Sequence, residues 1–243
     1  MRRHLAWLLV CLVVALGVAL VAGRQSLLGA PASPPSSDAV RLGPGPGQPV
    51  ADYLAMLPPR LPPTGAPPVP ALVQLAVGLD TTEAADLLTG APSTELNGPP
   101  TVVWPVIAVF RVPLPRVQTA LRFQPLTQVA DPDPIAAVRR QLALAQVVAR
   151  RTAATEAGRL RGRPARVAAA EAAALSTPGC RCVLAVLVSA DRAGLDGLAG
   201  RPGVRAVDAA PAGTPTDGVA LAPLLPEQTG LVGPVPDDGP LPP

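Results

Sequence analysis

Residues 71–90 read ALVQLAVGLDTTEAADLLTG, and this stretch decides the fold class. Val73, Leu75, Val77 and Leu79 alternate with Leu72, Gln74, Ala76 and Gly78, the two-residue period of a strand. At Asp80 the period changes. Asp80 and Glu83 stand at capping-box spacing, and Leu87 and Leu88 carry a short helix to Gly90. A strand that feeds a helix, ahead of further strands, belongs to a mixed α and β domain.

Reading outward toward the C-terminus, Thr101 to Val112 is a second strand, apolar on both faces and therefore central, with Pro105 marking a bulge. Pro113-Leu114-Pro115 turns the chain. Val117, Thr119, Leu121 and Phe123 then alternate against Gln118, Arg122 and Gln124, a third strand antiparallel to the second. Asp131-Pro132-Asp133-Pro134 starts a helix, with an acidic cap before proline at the first helical position. Ile135, Val138, Leu142, Ala145 and Ala149 give it an apolar stripe. Gly158, Gly162 and Pro164 interrupt that stripe, and Ala165 to Leu175 resumes it as a second helix. Arg181 to Ala190 is a fourth, Val-rich strand; Asp191 caps a short helix through Leu195 and Leu198, and Val204 to Val207 is a fifth strand.

This order predicts an α+β fold. The domain is a small ferredoxin-like split βαβ arrangement, an antiparallel sheet with helices on one face, extended by a further helix and strand. Its predicted core contains Val73, Leu75, Val77, Val103, Ile107, Val109, Leu121, Leu142, Leu184 and Val186.

Outward in the other direction the composition changes. Residues 25–70 hold Pro34-Pro35, Pro44-Gly45-Pro46, Pro58-Pro59, Pro62-Pro63 and Pro67-Pro68, which read as a flexible spacer of polyproline II character. Tyr53 to Leu57 interrupts the spacer as one helical turn. Before it, Arg2, Arg3 and His4 precede an uncharged apolar run at residues 5–23. As a helix this run spans about 28 Å, close to the roughly 30 Å hydrocarbon core of a bilayer. The expected organisation is a signal-anchor transmembrane helix at 1–24, a Pro-rich stalk at 25–70, an extracytoplasmic α+β domain at 71–210 and a Pro/Gly-rich tail at 211–243. Arg2 and Arg3 put the N-terminus in the cytoplasm. The alternative is secretion after signal-peptide cleavage.

Composition narrows the chemistry. All 20 basic residues are Arg and none is Lys, a bias of GC-rich coding, and the net charge is only +3. No basic cluster is interleaved with aromatics, which argues against a nucleic-acid partner. The one His, His4, precedes the apolar run, so the outer domain has no imidazole for nucleophile activation or metal ligation. No cofactor is implied and no catalytic constellation is legible. A carboxylate-based hydrolase would need two acids converging in one pocket.

Two features invite a functional reading. Cys180-Arg181-Cys182 leads into the fourth strand. Three readings stay open: buried thiols acting as small hydrophobes, a disulfide within or between chains, and a redox or Cu(I) site. Arg159, Arg161, Arg163 and Arg166 cluster between the two helices. They read either as contacts to an anionic partner or as a solvated loop. The expectation is a membrane-anchored, non-enzymatic binding or accessory module of the bacterial cell envelope, with a protein or envelope component as partner. The alternative is thiol-redox or Cu(I) handling by Cys180 and Cys182.

Overall fold

A computed structural model describes residues 39–90, 103–127 and 132–242. The apolar run at residues 5–23, and the membrane span expected there, lie outside the described residues. Among the described residues no helix is long and apolar enough to cross a membrane.

The protein is α+β. A five-stranded antiparallel sheet is built from β2 (Val69–Leu79), β3 (Val103–Phe110), β4 (Arg122–Pro125), β5 (Val183–Ala190) and β6 (Val204–Ala209). Its spatial order is β4-β3-β5-β2-β6. Helices α2 (Thr81–Thr89), α3 (Pro134–Arg159), α4 (Gly162–Ser176) and α5 (Arg192–Ala199) connect these strands. From β2 to β5 the chain order follows the expected β-α-β-β-α-β pattern, with the pair α3 and α4 standing as its second helix. In space these elements depart from a ferredoxin-like sheet, which would insert the hairpin strand β4 between β2 and β3. Here β5 takes that central place, β4 is pushed to one edge, and β6 forms the other. The reason lies in the side chains. Six consecutive residues, Val183 to Val188, are buried in β5, so the strand is apolar on both faces and must be interior. Arg122 to Pro125 is short and half exposed, which suits an edge.

All four helices pack on one face of the sheet. That layer is filled by Val73, Leu75, Phe110, Val186 and Val207 from the strands, and by Leu88, Leu142, Leu175, Leu195 and Leu198 from the helices. The capping box of α2 is complete: Asp80 accepts from the Thr82 and Glu83 amides, and Glu83 accepts from the Asp80 amide. Asp133 caps α3 ahead of Pro134, and Asp191 caps α5.

The other face of the sheet is covered as well, by the two proline-rich flanks. Residues 39–70 are not a spacer: they contain β1 (Val40–Leu42), α1 (Val50–Ala55) and a 3-10 turn at Pro58–Arg60. Nor is the C-terminal flank a loose tail, since β7 (Val219–Leu221) pairs in parallel with β1, Val40 opposite Val219 and Leu42 opposite Leu221. Leu42 packs on Leu72, Val109, Ala185 and Leu187, which point away from the helices. Further along the same face, Val50, Tyr53, Leu57 and Leu224 enclose Ala206. The packed segments thus extend from residue 39 to residue 242, wider on both sides than the expected 71–210. Prolines do not oppose this packing, because the covering layer is built from irregular segments and a two-stranded ribbon that need few ladder amides. Each Leu fully buried there contributes about 1.5–3 kcal/mol.

Of the predicted core, Val73, Leu75, Val109, Leu142, Leu184 and Val186 are buried, while Val103, Ile107 and Leu121 are half-buried. Val77 is not core: it is 52% exposed. The pairing of β2 with β5 shifts register between Gln74 and Leu79, and this irregularity carries Val77 out of alternation. The expected bulge at Pro105 is present, as a register shift between Pro105 and Ile107.

Candidate functional site

Helices α3 and α4 form a hairpin joined by only Leu160 and Arg161. Gly162 opens α4 with φ +65°, a left-handed conformation that lets the chain reverse so sharply. Gln146 on α3 donates to the Leu175 carbonyl at the far end of α4 at 2.9 Å and locks the two helices together. Four arginines predicted as contacts surround the hinge, and the structure separates them. Arg163 is committed: its guanidinium donates to Asp237 at 3.2 Å and to the Gly239 carbonyl at 2.9 Å. Arg159, Arg161 and Arg166 are exposed, and their side chains have no partner among the described residues. The first turn of α4 has no side-chain cap, so its amides share this cationic end.

Beside the hinge lies an open groove of about 360 Å³, lined by Ala120, Glu156, Leu160, Arg163, Glu171 and Asp237 among others. Three acids thus share one groove: Asp237, which is paired with Arg163, and the two glutamates. The glutamates are occupied by the same buried cation: Arg122 Nη2 donates to Glu156 at 2.8 Å and also to Glu171. The second oxygen of Glu171 accepts from the Ala120 amide at 2.6 Å. Burial disfavours the Arg122 charge, but the two carboxylates outweigh it and hold its pKa above the ordinary arginine value. Arg122 Nε has no partner among the described residues. This cluster holds α3 and α4 to the edge strand. Both glutamates are thereby engaged by a cation.

Cys180 and Cys182 are joined by a disulfide across two residues, with Cα atoms 5.2 Å apart. An extended strand would hold them about 6.5–7 Å apart. They are closer because regular β5 begins only at Val183, after the turn at Gly179. Cys182 is buried in the helical layer and Cys180 is half-buried against it. Arg181 between them points outward and pairs with Glu83 at 2.6 Å. The oxidised pair presents no thiolate for metal binding. No group of three His, Cys, Asp or Glu side chains that could hold a metal occurs among the described residues.

A third constellation was not visible in the sequence. Asp208 on β6 is fully buried and accepts three hydrogen bonds, from the Gly43 amide at 2.7 Å, Tyr53 Oη at 3.0 Å and Arg60 Nη1 at 3.0 Å. Gln74 donates to Tyr53 Oη at 2.6 Å and accepts from the Leu224 amide at 2.7 Å. Burial, and next the Asp208 charge, push the Tyr53 pKa above its ordinary value. These bonds link β2 and β6 to residues 43, 53, 60 and 224, so the network fastens both flanks to the sheet. A buried Gln in a predicted strand and a lone Tyr in a proline-rich segment were its only sequence signals.

No family model, curated protein or solved structure matches this chain.

Proposed function

We propose that the chain is a non-catalytic binding module of the cell envelope, held at the membrane by residues 5–23, that engages an anionic partner through the α3–α4 hinge. One observation carries this reading. Arg159, Arg161 and Arg166 lie at or near a two-residue hinge and, like Arg150 and Arg151, are spent on no carboxylate among the described residues, whereas Arg60, Arg111, Arg116, Arg122, Arg139, Arg163, Arg181 and Arg192 are each paired with one. Unpaired guanidinium groups beside uncapped helix amides favour phosphate or carboxylate ligands. A photoreactive residue at Leu160 in the full chain tests this in intact cells. Adducts should form, and most should vanish when Arg159, Arg161 and Arg166 are changed to Gln. A pattern indifferent to those three substitutions would overturn the reading.

A second reading rests on the Cys180–Cys182 bond, whose half-buried Cys180 is within reach of another thiol. A dithiol partner would give two electrons and two protons to the bridge, leaving two cysteine thiols here and a disulfide there. Cu(I) handling would require that reduction first. Mixed disulfides trapped on Cys180 in a Cys182→Ser chain would favour this reading over the first.

A further inference from the structure

The cationic hinge is the end of a longer surface. Residues 134–176 carry eight arginines and two glutamates, a net charge of +6, while the whole chain carries +3. Both glutamates are turned inward to Arg122. Along the outer face of α3, Leu144 is 55% exposed, Val148 is 47% exposed, and Val147 adjoins them one turn on. At the hinge Leu160 is 46% exposed between Arg159 and Arg161. Residues 144, 147, 148 and 151 follow three- and four-residue steps and share one helix face, so Arg151 continues the line of the apolar side chains.

Three classes of occupant fit an apolar stripe, and charge separates them. A second copy would bring the exposed Arg150, Arg151, Arg159, Arg161 and Arg166 of each chain against the same five of the other, which like-charge repulsion opposes. A single-stranded nucleic acid would call for aromatic platforms, which the stripe lacks, and a duplex would leave Leu144, Val147 and Val148 without an apolar partner. A surface of anionic phospholipid headgroups satisfies both components: phosphates pair with the arginines while Leu144, Val147 and Val148 enter the acyl boundary and Leu160 marks the hinge end. Arginine suits that depth, since its aliphatic stem lies along apolar surface while its guanidinium reaches phosphate.

We infer that the outer face of the α3–α4 hairpin is a peripheral docking surface for anionic phospholipid. This rests on the proposed binding reading and names the chemistry of its partner. The membrane run at 5–23 supplies the second attachment, which matters because one weak surface contact gives only marginal, reversible binding.

The full chain in nanodiscs of phosphatidylcholine, with and without one-third phosphatidylglycerol, tests the inference. A photoreactive residue replaces Val148 in one variant and Leu160 in another, and lipid adducts are read by mass. Adducts should rise about tenfold with the anionic lipid, and fall back when Arg150, Arg151, Arg159, Arg161 and Arg166 are changed to Gln. Unchanged circular dichroism of the Gln variant shows that the fold persists. Equal adducts in neutral and anionic discs, or adducts chiefly to a second copy, would overturn the docking inference. If the discs give no lipid adducts but cells give arginine-dependent adducts to another component, the binding reading stands and the lipid assignment falls. If neither gives them, both fall.

Discussion

Asp208 and Tyr53 are 155 residues apart in sequence and share a buried hydrogen bond of 3.0 Å. The contact joins a strand of the sheet to a flank that composition alone marks as spacer. Asp208→Ala removes the acceptor for Tyr53, for the Gly43 amide and for Arg60. Arg60 is half exposed and can turn to water, so the cost falls on the first two. We expect a loss of about 2 kcal/mol, and a smaller one for Asp208→Asn, which keeps an oxygen. Urea unfolding measures both. A midpoint unchanged in the Ala variant would mean that the flanks unfold independently of the sheet.

The Arg122–Glu171 pair is almost fully buried on both sides. Glu171→Ala leaves the buried guanidinium with only the half-exposed Glu156 and strands the Ala120 amide, so it should cost about 3 kcal/mol. The double variant Arg122→Met, Glu171→Leu should recover most of that loss, because an apolar pair of similar volume needs no counter-charge. Thermal melts of the three chains separate the cases. A double variant no more stable than Glu171→Ala would show that the cluster acts through the Ala120 amide and not through charge.

Gly78 lies at the register shift of β2, where a Cβ would run into the Arg181 carbonyl between the two cysteines. The obstacle is backbone and cannot swing aside. Gly78→Ala should destabilise the fold by about 2 kcal/mol. It should also alter the disulfide segment, visible as faster reduction of Cys180–Cys182. Wild-type stability would mean that the bulge can relax at no cost.

The disulfide closes a loop of only three residues. Chain entropy then gives it at most about 1.5 kcal/mol. Reduction and alkylation should lower the denaturation midpoint slightly and leave the circular dichroism spectrum intact. Global unfolding on reduction would assign the bond a larger structural role than its span allows.

Asp237 and Asp238 fasten the C-terminal segment to the hinge and to the 111–121 connection. Hydrogen bonds from Arg163 and from Arg116, respectively, hold the two carboxyls below the ordinary aspartate value. A carboxyl held low when attached takes its proton more readily once released. Attachment is therefore at full strength at neutral pH and is lost as the pH falls through the ordinary value of about 3.9 toward the lower attached one. The Gln118 and Gly239 amide signals in an NMR titration should report release only in that acidic range, and at higher pH in Asp238→Asn. Release near neutrality would contradict the assignment.

Much of the fold was legible because its signals are local. Asp80 with Glu83, Asp133 before Pro134, and the apolar run Val183 to Val188 each specify their element within a few residues. The α+β class and the antiparallel pairing of β3 with β4 follow from them. The spatial order of strands does not, since chain order alone cannot say whether β4 or β5 sits between β2 and β3. Residues 39–70 and 211–242 were misread for a related reason. Their packing depends on Leu42, Tyr53 and Leu224 meeting residues more than a hundred positions away, and no period announces such contacts. At the candidate site the sequence located the arginine cluster but could not see that Arg163 is neutralised by Asp237. It located the cysteines, yet their pairing hinged on where β5 begins.

The clasp between β1 and β7 joins residue 40 to residue 219. On the ribosome, β1 emerges well before its partner β7. Until β7 follows, one side of the sheet lacks its cover, and Leu72, Val109 and Leu187 wait with it. A truncated message would yield a chain with a helical layer and a bare apolar sheet, which proteases and chaperones would recognise at once. The proline-rich segment around β7, easily dismissed as an appendage, is thus the piece that closes the sheet.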